Sequence, residues 1–323
     1  MPSRRHFLRL SGLAAVGACA TPPGKTSDTD PTDPDYEVPR ITPNDEFYVT
    51  SYAGTPDIDP DTWRLDLDGQ ATIGLAELDA LTPREKEHTL VCIGSSDRYR
   101  AMGNALWTGL PLRELLDAFG VVPADDAIEI HFRSADDYQT AIPITDLDDR
   151  EIWLVWRMNG AELPPEHGYP ARLLVPNRYG MKNPKWITSI AFAKEALVGT
   201  WEAVGWSNDC TIKPTTWAHV PEDRSEVATD TVHLAGSAFC GSVAIERVEV
   251  SADDGDTWME ASEVTTGPQD TWTTWVLDWT PPGPGDYTLL VRTTAADGRA
   301  SDPDFVSDAS GFGGYDTLTV TVL

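Results

Sequence analysis

Cys92 has the sequence setting of a reactive thiol. It follows the apolar, strand-like run Thr89–Val91 and precedes the loop Gly94–Ser96, so a rigid strand end could present its thiolate to a cleft. A thiolate in such a place serves as a nucleophile or as a soft metal ligand. The alternative is a buried structural thiol, because free cysteine is among the most buried residue types. None of the four cysteines forms a C-x-x-C pair, which argues against a zinc ribbon or an attached c-type haem.

A second candidate is a basic stretch in an otherwise very acidic chain. The 323 residues carry a formal net charge of −28, yet no acid occurs between Glu166 and Glu195. The bases of this stretch are Arg172, Arg178, Lys182, Lys185 and Lys194. They favour a site for a phosphate or a similar anion, with Arg172 as a bidentate fork. The alternative is that they pair with carboxylates elsewhere in the fold.

The elements that must position these residues alternate between short strands and loops, with one clear helix. Pro111 opens that helix, Leu112, Leu115, Leu116 and Phe119 mark one face, and Gly120 ends it. Strands are predicted at Trp63–Leu67, Ala127–Phe132, Ile152–Trp156 and Ala171–Val175. We therefore predict an α+β domain at 41–215.

Beyond about Asp230 the pattern changes to strand after strand with turns between them. Alternating apolar residues mark Arg247–Ser251, Trp275–Trp279, Tyr287–Val291 and Leu318–Val322. Six or so short strands without a helix predict an immunoglobulin-like β-sandwich at 216–323. Cys210 and Cys240 could form a disulfide between the two domains or remain two thiols.

Two long segments and a weaker third resemble the sulfite oxidase family of molybdopterin enzymes. They are Thr89–Gly94 continuing to Met102–Leu112, then Met158–Gly160 with His167–Pro176 and Lys185-Trp186, and finally Ala238–Gly241 with Ile245–Ser251 and Thr257-Trp258. The resemblance implies a catalytic domain of the sulfite oxidase type, followed by an immunoglobulin-like dimerisation domain and hence a homodimer.

The resemblance also implies a cofactor, molybdenum–molybdopterin, and residues that hold it. Cys92 falls where the family's thiolate binds molybdenum. Residues at positions that hold the pterin and its phosphate are Asp136, His167, Arg172 and Lys185, and we add Lys182 from the acid-free stretch. The family's other pterin-contacting loop falls on Tyr48, Thr50, Ser51 and Tyr52, although its usual Arg-Asn-His is absent here.

The substrate side departs further from the family. Members that oxidise sulfite carry an Asn-Arg-Arg run where this chain has Ser95-Ser96-Asp97, and a pocket tyrosine reads here as Trp206. Arg98, Arg100 and Trp206 are the candidate catalytic residues. We therefore expect oxygen-atom transfer on a small molecule other than sulfite, with electrons passed to a separate carrier such as a cytochrome c. Alternatives are a sulfoxide reductase and a cofactor-free, lipid-tethered binding or structural module.

The first residues are predicted to be an export signal. Arg4-Arg5 precedes a short apolar run, Leu10–Ala18, which is typical of a twin-arginine signal peptide at 1–19. The run ends in a sequence that resembles a lipobox, with Cys19 as the lipidated residue, or else Cys19 is discarded with a plain signal. An acidic, disordered tether is predicted at 20–40. We expect a periplasmic or cell-envelope protein that is held to the membrane by lipid only and does not bind nucleic acid.

Overall fold

The computed structural model describes residue 36 and residues 38–96, 99–228, 230–304 and 309–323. The signal peptide, most of the predicted tether and Arg98 lie outside the described residues. Val38 is buried, and the Arg40 carbonyl accepts hydrogen bonds from Asn104 and Trp272. The segment 38–40 is therefore packed on the folded body, because its polar and apolar groups both find partners there. No helix in the described ranges is long and apolar enough to cross a bilayer.

The first domain consists of two sheets, with elements numbered in chain order. One sheet has the order β2-β1-β10-β5-β6 and contains β1 (Leu65–Leu67), β2 (Ala71–Ile73), β5 (Glu129–Ser134), β6 (Gln139–Pro143) and β10 (Ile187–Ala193). The other has the order β3-β4-β7-β8, with β9 paired to β7, and contains β3 (Arg84–Val91), β4 (Met102–Pro111), β7 (Trp153–Met158), β8 (Ala161–Glu162) and β9 (Arg172–Leu174).

Helices contribute little to the described chain. They are α1 (Leu75–Asp79), α2 (Leu112–Ala118) and α3 (Asp146–Asp149). The predicted helix is α2, whose Leu112, Leu115 and Leu116 are buried in the core. The chain is thus mostly β, and α+β overstates its helix content, because the segments between strands are mainly loops and single 3-10 turns.

The second domain is built from two further sheets. One has the order β11-β13-β17-β16 and contains β11 (Thr215–Val220), β13 (Val232–Phe239), β16 (Glu263–Thr266) and β17 (Thr273–Trp279). The other has the order β12-β19-β18-β14-β15 and contains β12 (Ser225–Val227), β14 (Ile245–Ser251), β15 (Met259–Glu260), β18 (Gly285–Ala295) and β19 (Asp316–Val322). The alternating residues predicted to share a face, such as Leu318, Val320 and Val322, are buried in one core. The immunoglobulin-like assignment itself stays a prediction.

The two domains share a hydrophobic core. Val91 and Tyr179 of the first domain pack with Trp217, Phe239 and Phe312 of the second. A hydrophobic interface of this kind holds two domains in one arrangement. The strand β3, which leads to Cys92, is therefore supported from both domains.

Candidate functional site

Cys92 is the first residue after β3, where the strand turns into a tight loop. Its amide donates to the carbonyl of Ala101 (2.9 Å), and its own carbonyl accepts from the amide of Ser95 (3.1 Å). The thiol is partly exposed, whereas Cys210 and Cys240 are buried, and none of the three is in a disulfide. Cys92 is thus the accessible thiol of the described cysteines, which favours the reactive reading over a structural one.

Two glycines and two aromatic side chains surround the Cys92 thiol. A Cβ built on Gly94 would lie 3.8 Å from Cys92 Sγ and 3.7 Å from Cη2 of Trp206. A Cβ built on Gly180 would lie 3.0 Å from Oη of Tyr48 and 4.0 Å from Cα of Cys92. A Cβ at Gly180 would press on the Tyr48 phenol, whereas one at Gly94 would make ordinary van der Waals contact with the thiol and with Trp206.

Tyr48 connects the thiol to the basic stretch. Burial raises the pKa of its phenol well above the usual value, the charge of Cys92 raises it further, and the guanidinium of Arg172 lowers it. The phenol therefore senses both groups and stays protonated at neutral pH. Cys92 and Arg172 are therefore both close enough to Tyr48 for their charges to act on its phenol.

Arg172 is a buried cation without a carboxylate partner. It lies in β9 with its guanidinium 5.3 Å from the centroid of the Trp107 ring. Nη1 donates to the carbonyl of His167 (2.9 Å) and Nη2 to that of Asn183 (3.1 Å), while the buried Nε has no hydrogen-bond partner in the described part of the chain. Burial lowers the pKa of Arg172 to about 10. Its charge is held in place but not neutralised.

Lys185 is a second cation of this kind. Its Nζ donates to the carbonyl of Glu166 (2.7 Å) and lies 4.2 Å from the centroid of the Trp186 ring. Burial, and then the charge of Arg172, lower the pKa of Lys185 to about 7, although Asp136 and Glu166 act in the opposite direction. Neither Lys185 nor Arg172 forms an ion pair with any residue that the structure describes.

Gly168 allows these two cations to approach each other. A Cβ at this position would lie 3.0 Å from Cβ of Lys185 and 3.1 Å from Cβ of Arg172, and its φ of 118° is rarely adopted by other residues. Two neighbouring buried cations repel each other, so an anion between or beside them is stabilised.

The other bases of the acid-free stretch have carboxylate partners. Arg178 pairs with Asp146 (3.0 Å), and the exposed Lys194 pairs with Asp126 (2.7 Å). Lys182 is buried against Glu202 and also donates to the carbonyl of Ala141 (2.8 Å). The prediction that Lys182 holds the pterin phosphate is therefore not supported, because its charge is already matched inside the protein.

His167 is close to this cation pair and is held neutral. Burial lowers its pKa to about 4, and its Nε2 lies 2.8 Å from the carbonyl of Asn44. Because a carbonyl only accepts, Nε2 carries the proton and Nδ1 is left as an acceptor. Asp136 is half-buried near Lys185, and burial raises its pKa.

The predicted loop from Tyr48 to Tyr52 reaches the site only in part. Thr50 shares a hydrogen bond with the phenol of Tyr99 (3.0 Å). Tyr52 is exposed and packs edge-on against Trp201 at 5.8 Å between ring centroids. Ser51 is partly buried, with no described role.

Of the two candidate catalytic arginines, the structure describes Arg100. Arg98 lies outside the described residues. Arg100 extends to the second domain, where Nη1 donates to the carbonyl of Ala218 (2.7 Å) and Nη2 to Asp316 (2.7 Å). Its assignment as a catalytic residue stays a prediction, and in this structure its guanidinium is paired with the carboxylate of Asp316. Trp206 remains next to Cys92.

Sequence similarity supports the same interpretation. Residues 52–201 match the oxidoreductase molybdopterin binding domain. Mitochondrial sulfite oxidase of Rattus norvegicus is 28% identical over 266 residues, covering 68% of this chain and 49% of the relative. The NADPH nitrate reductase of Phytophthora infestans is 28% identical over 323 residues, covering 81% of this chain and 34% of the relative.

The chain therefore resembles the sulfite oxidase family of molybdopterin oxidoreductases. The sulfane dehydrogenase SoxCD from Paracoccus pantotrophus shares the fold, with a TM-score of 0.79 at 19% identity, covering 97% of this chain and 87% of that one. The chain spans about half the length of the rat sulfite oxidase. The family's cofactor is molybdenum–molybdopterin.

The residues of this chain fit that cofactor on three observations. Arg172 has a buried, unpartnered Nε. Arg172 and Lys185 donate to carbonyls and pair with no described carboxylate, so an anion that binds beside them would favour their charged forms. Cys92 offers an accessible soft ligand, while the described residues contain no cluster of three or more His, Cys, Asp or Glu that could hold a metal by themselves.

Several residues of this site are not evident from the sequence. Asn44, which sets the tautomer of His167, and Trp107, on which Arg172 stacks, come from distant segments. Tyr99 lies between Arg98 and Arg100 in the sequence and is not charged, so the prediction from sequence, which considers the arginines, does not include it. Gly168 has a sequence signal, since it lies between His167 and the basic residues.

Proposed function

We propose that this chain is a molybdenum-dependent oxidoreductase in which Cys92 ligates the metal, while Arg172 and Lys185 hold the anionic end of the pterin. When bound, the molybdenum–molybdopterin group supplies two-electron oxygen-atom transfer chemistry. The observation that carries this proposal is the pair of cations, Arg172 and Lys185, which form no ion pair with any described residue, together with the accessible thiol that Tyr48 connects to Arg172.

The protein's own groups would bind, orient and insulate the reacting centre. The neutral His167 offers Nδ1 as an acceptor for a donor on the ligand, and Arg172 and Lys185 offer hydrogen-bond donors. Tyr48 keeps its proton and can donate a hydrogen bond toward the ligand. Trp206 lies beside Cys92 and offers an apolar surface that excludes water.

We propose a small substrate other than sulfite. Arg100 is held by Asp316, and Trp206 stands where the family has a phenol, so the described residues give a dianion less stabilisation near Cys92. The test is a dye-linked assay of the metal-loaded protein with sulfite, sulfoxides and nitrate. Turnover of sulfite at the highest rate would contradict this part of the proposal.

Metal and pterin content separates an enzyme from the cofactor-free module. We expect molybdenum and pterin in equal amounts with the purified protein, and Arg172→Met should lower the pterin content while the fold is retained. Lys194→Met is the matched control, because Lys194 is exposed and pairs with Asp126. Protein without bound metal after expression in a molybdopterin-producing host would refute the proposal.

We further propose export by the twin-arginine route, lipid attachment at Cys19, electron transfer to a separate carrier such as a cytochrome c, and a homodimer through an immunoglobulin-like second domain. The support is the leader sequence and the two-sheet second domain. Labelling with a radioactive fatty acid tests the anchor: label should be incorporated into the wild type and lost in Cys19→Ser. Fractionation that leaves the protein in the cytoplasm would contradict export.

A further inference from the structure

We infer that the second domain fixes the position of the Cys92 loop through the ion pair between Arg100 and Asp316, which makes both of them positioning residues for the thiolate. This inference rests on the proposed role of Cys92. It assigns the second domain a part in building the site, in addition to any part in dimerisation.

The loop from Cys92 to Ala101 is closed by its own hydrogen bonds. The carbonyl of Ala101 accepts from the amide of Cys92 (2.9 Å) and from the hydroxyl of Ser95 (3.2 Å). Ser96 and Tyr99 exchange backbone hydrogen bonds of 3.0 and 3.2 Å at the far end of the loop. Because Arg100 is bonded directly to Ala101, a shift of Arg100 moves the acceptor that holds the Cys92 amide.

Arg100 is attached to the second domain by a closed set of three contacts. Its guanidinium donates to the carbonyl of Ala218 (2.7 Å) and to Oδ1 of Asp316 (2.7 Å), while the amide of Ala218 donates to Oδ2 of Asp316 (2.9 Å). Ala218 lies in β11 and Asp316 in β19, which belong to different sheets. The arginine is therefore fixed where the two sheets meet.

This ion pair is a poor source of stability. Asp316 is fully buried (0% exposed), and burial raises the pKa of its carboxyl to about 6 in spite of Arg100. Replacing both members of a buried ion pair by uncharged groups is often neutral or stabilising. The pair contributes little to stability but connects the Cys92 loop to the second domain. We therefore explain it by its effect on the position of that loop.

The experiment measures alkylation of Cys92 by iodoacetamide in the metal-free full-length protein, with site-resolved mass spectrometry. We expect Arg100→Met to speed alkylation about tenfold, which corresponds to about 1.4 kcal/mol of lost loop stabilisation. Arg100→Lys should restore part of the difference, because it keeps the charge but not the two-pronged contact. Alkylation of the buried Cys240 reports global unfolding, so only the acceleration at Cys92 that exceeds the acceleration at Cys240 measures the loop.

The double variant Arg100→Met with Asp316→Asn separates placement from stability. It removes both charges, so a purely stabilising role predicts wild-type alkylation once the unpaired carboxylate is gone. Placement predicts that alkylation stays fast although the unfolding midpoint recovers. The matched control is Arg292→Met: Arg292 has a side chain that is 29% exposed against 28% for Arg100, and it makes a two-pronged pair with Glu249 inside the second domain.

Wild-type alkylation in both Arg100→Met and the double variant would overturn the inference, as would equal acceleration in Arg292→Met. In metal-loaded protein, the Arg100 variants should also change the molybdenum EPR signal, whereas Arg292→Met should not. Since the alkylation assay needs no metal, a protein that binds no molybdenum would refute the proposed function and leave the loop measurement interpretable.

Discussion

Replacing Lys185 by methionine should stabilise the metal-free protein at neutral pH. The pKa of Lys185 falls from its ordinary 10.5 to about 7, first because of burial and then because of Arg172. Between these two pH values the unfolded chain holds a proton that the folded chain lacks. The contribution of Lys185 to the free energy of unfolding is therefore fully present above pH 10.5 and is lost, by about 1.4 kcal/mol per pH unit, as the pH falls toward 7.

The expected gain is smaller than this slope implies. Methionine also loses the hydrogen bond to Glu166 and the contact of the ammonium with the Trp186 ring. Withdrawing one charge from water costs several kcal/mol, so we expect Lys185→Met to stabilise the protein by about 1–4 kcal/mol at pH 7. The gain should nearly disappear at pH 10.5, where the wild-type lysine is neutral in the folded state and only about half protonated in the unfolded state.

Urea unfolding at pH 7 and pH 10.5 measures this difference. Pyrophosphate should raise the unfolding midpoint of the wild type at pH 7 and should raise that of Lys185→Met much less, because the anion finds one cation fewer. Lys194→Met is the control: its ammonium is 64% exposed and pairs with Asp126, so the free energy of unfolding should hardly change. A loss of stability in Lys185→Met that is equal at both pH values would refute the reasoning, since Lys185 would then be a structural residue.

Three further predictions concern the neighbours of this cation pair. His167→Gln keeps a donor to Asn44 but does not titrate. Because the pKa of His167 is lowered to about 4, the wild type should lose about 1.4 kcal/mol of unfolding free energy per pH unit more than the variant as the pH falls from 6.5 to 4. Acid unfolding curves that run parallel would contradict this. Gly168→Ala should lower the free energy of unfolding in urea by about 1–3 kcal/mol and weaken pyrophosphate binding, because the φ of 118° and two close neighbours both exclude a Cβ. An unchanged unfolding midpoint would show that the backbone relaxes. Lys182→Met should destabilise the protein by about 3–5 kcal/mol, because Glu202 is left buried without its partner. It should leave pyrophosphate affinity unchanged. Weaker anion binding would show that Lys182 contributes to the anion site.

Patterns of local periodicity predict much of this fold. The helix after Pro111 and the alternating strands of the second domain are found where the sequence places them, because one buried face fixes the spacing of their apolar residues. The α+β class is matched only in part, because the connections between the strands of the first domain fold mainly as loops and single 3-10 turns.

The site is less predictable, because charge alone does not show which partner a base has. Arg172 and Lys182 look alike in the acid-free stretch, yet Glu202, twenty positions beyond Lys182, neutralises only the latter. Arg100 likewise finds Asp316, which is 216 positions away. Such pairs depend on tertiary packing between sheets and between domains, and the spacing of residues along the chain does not encode them.

The central claim is that the thiolate of Cys92 ligates molybdenum, and X-ray absorption at the molybdenum edge tests it most directly. The metal-loaded wild type should show one molybdenum–sulfur bond more than Cys92→Ser. Cys210→Ser should match the wild type, since the Cys210 thiol is buried and donates to the carbonyl of Ser207 (2.7 Å). An unchanged sulfur count in Cys92→Ser with full metal content would contradict the assignment.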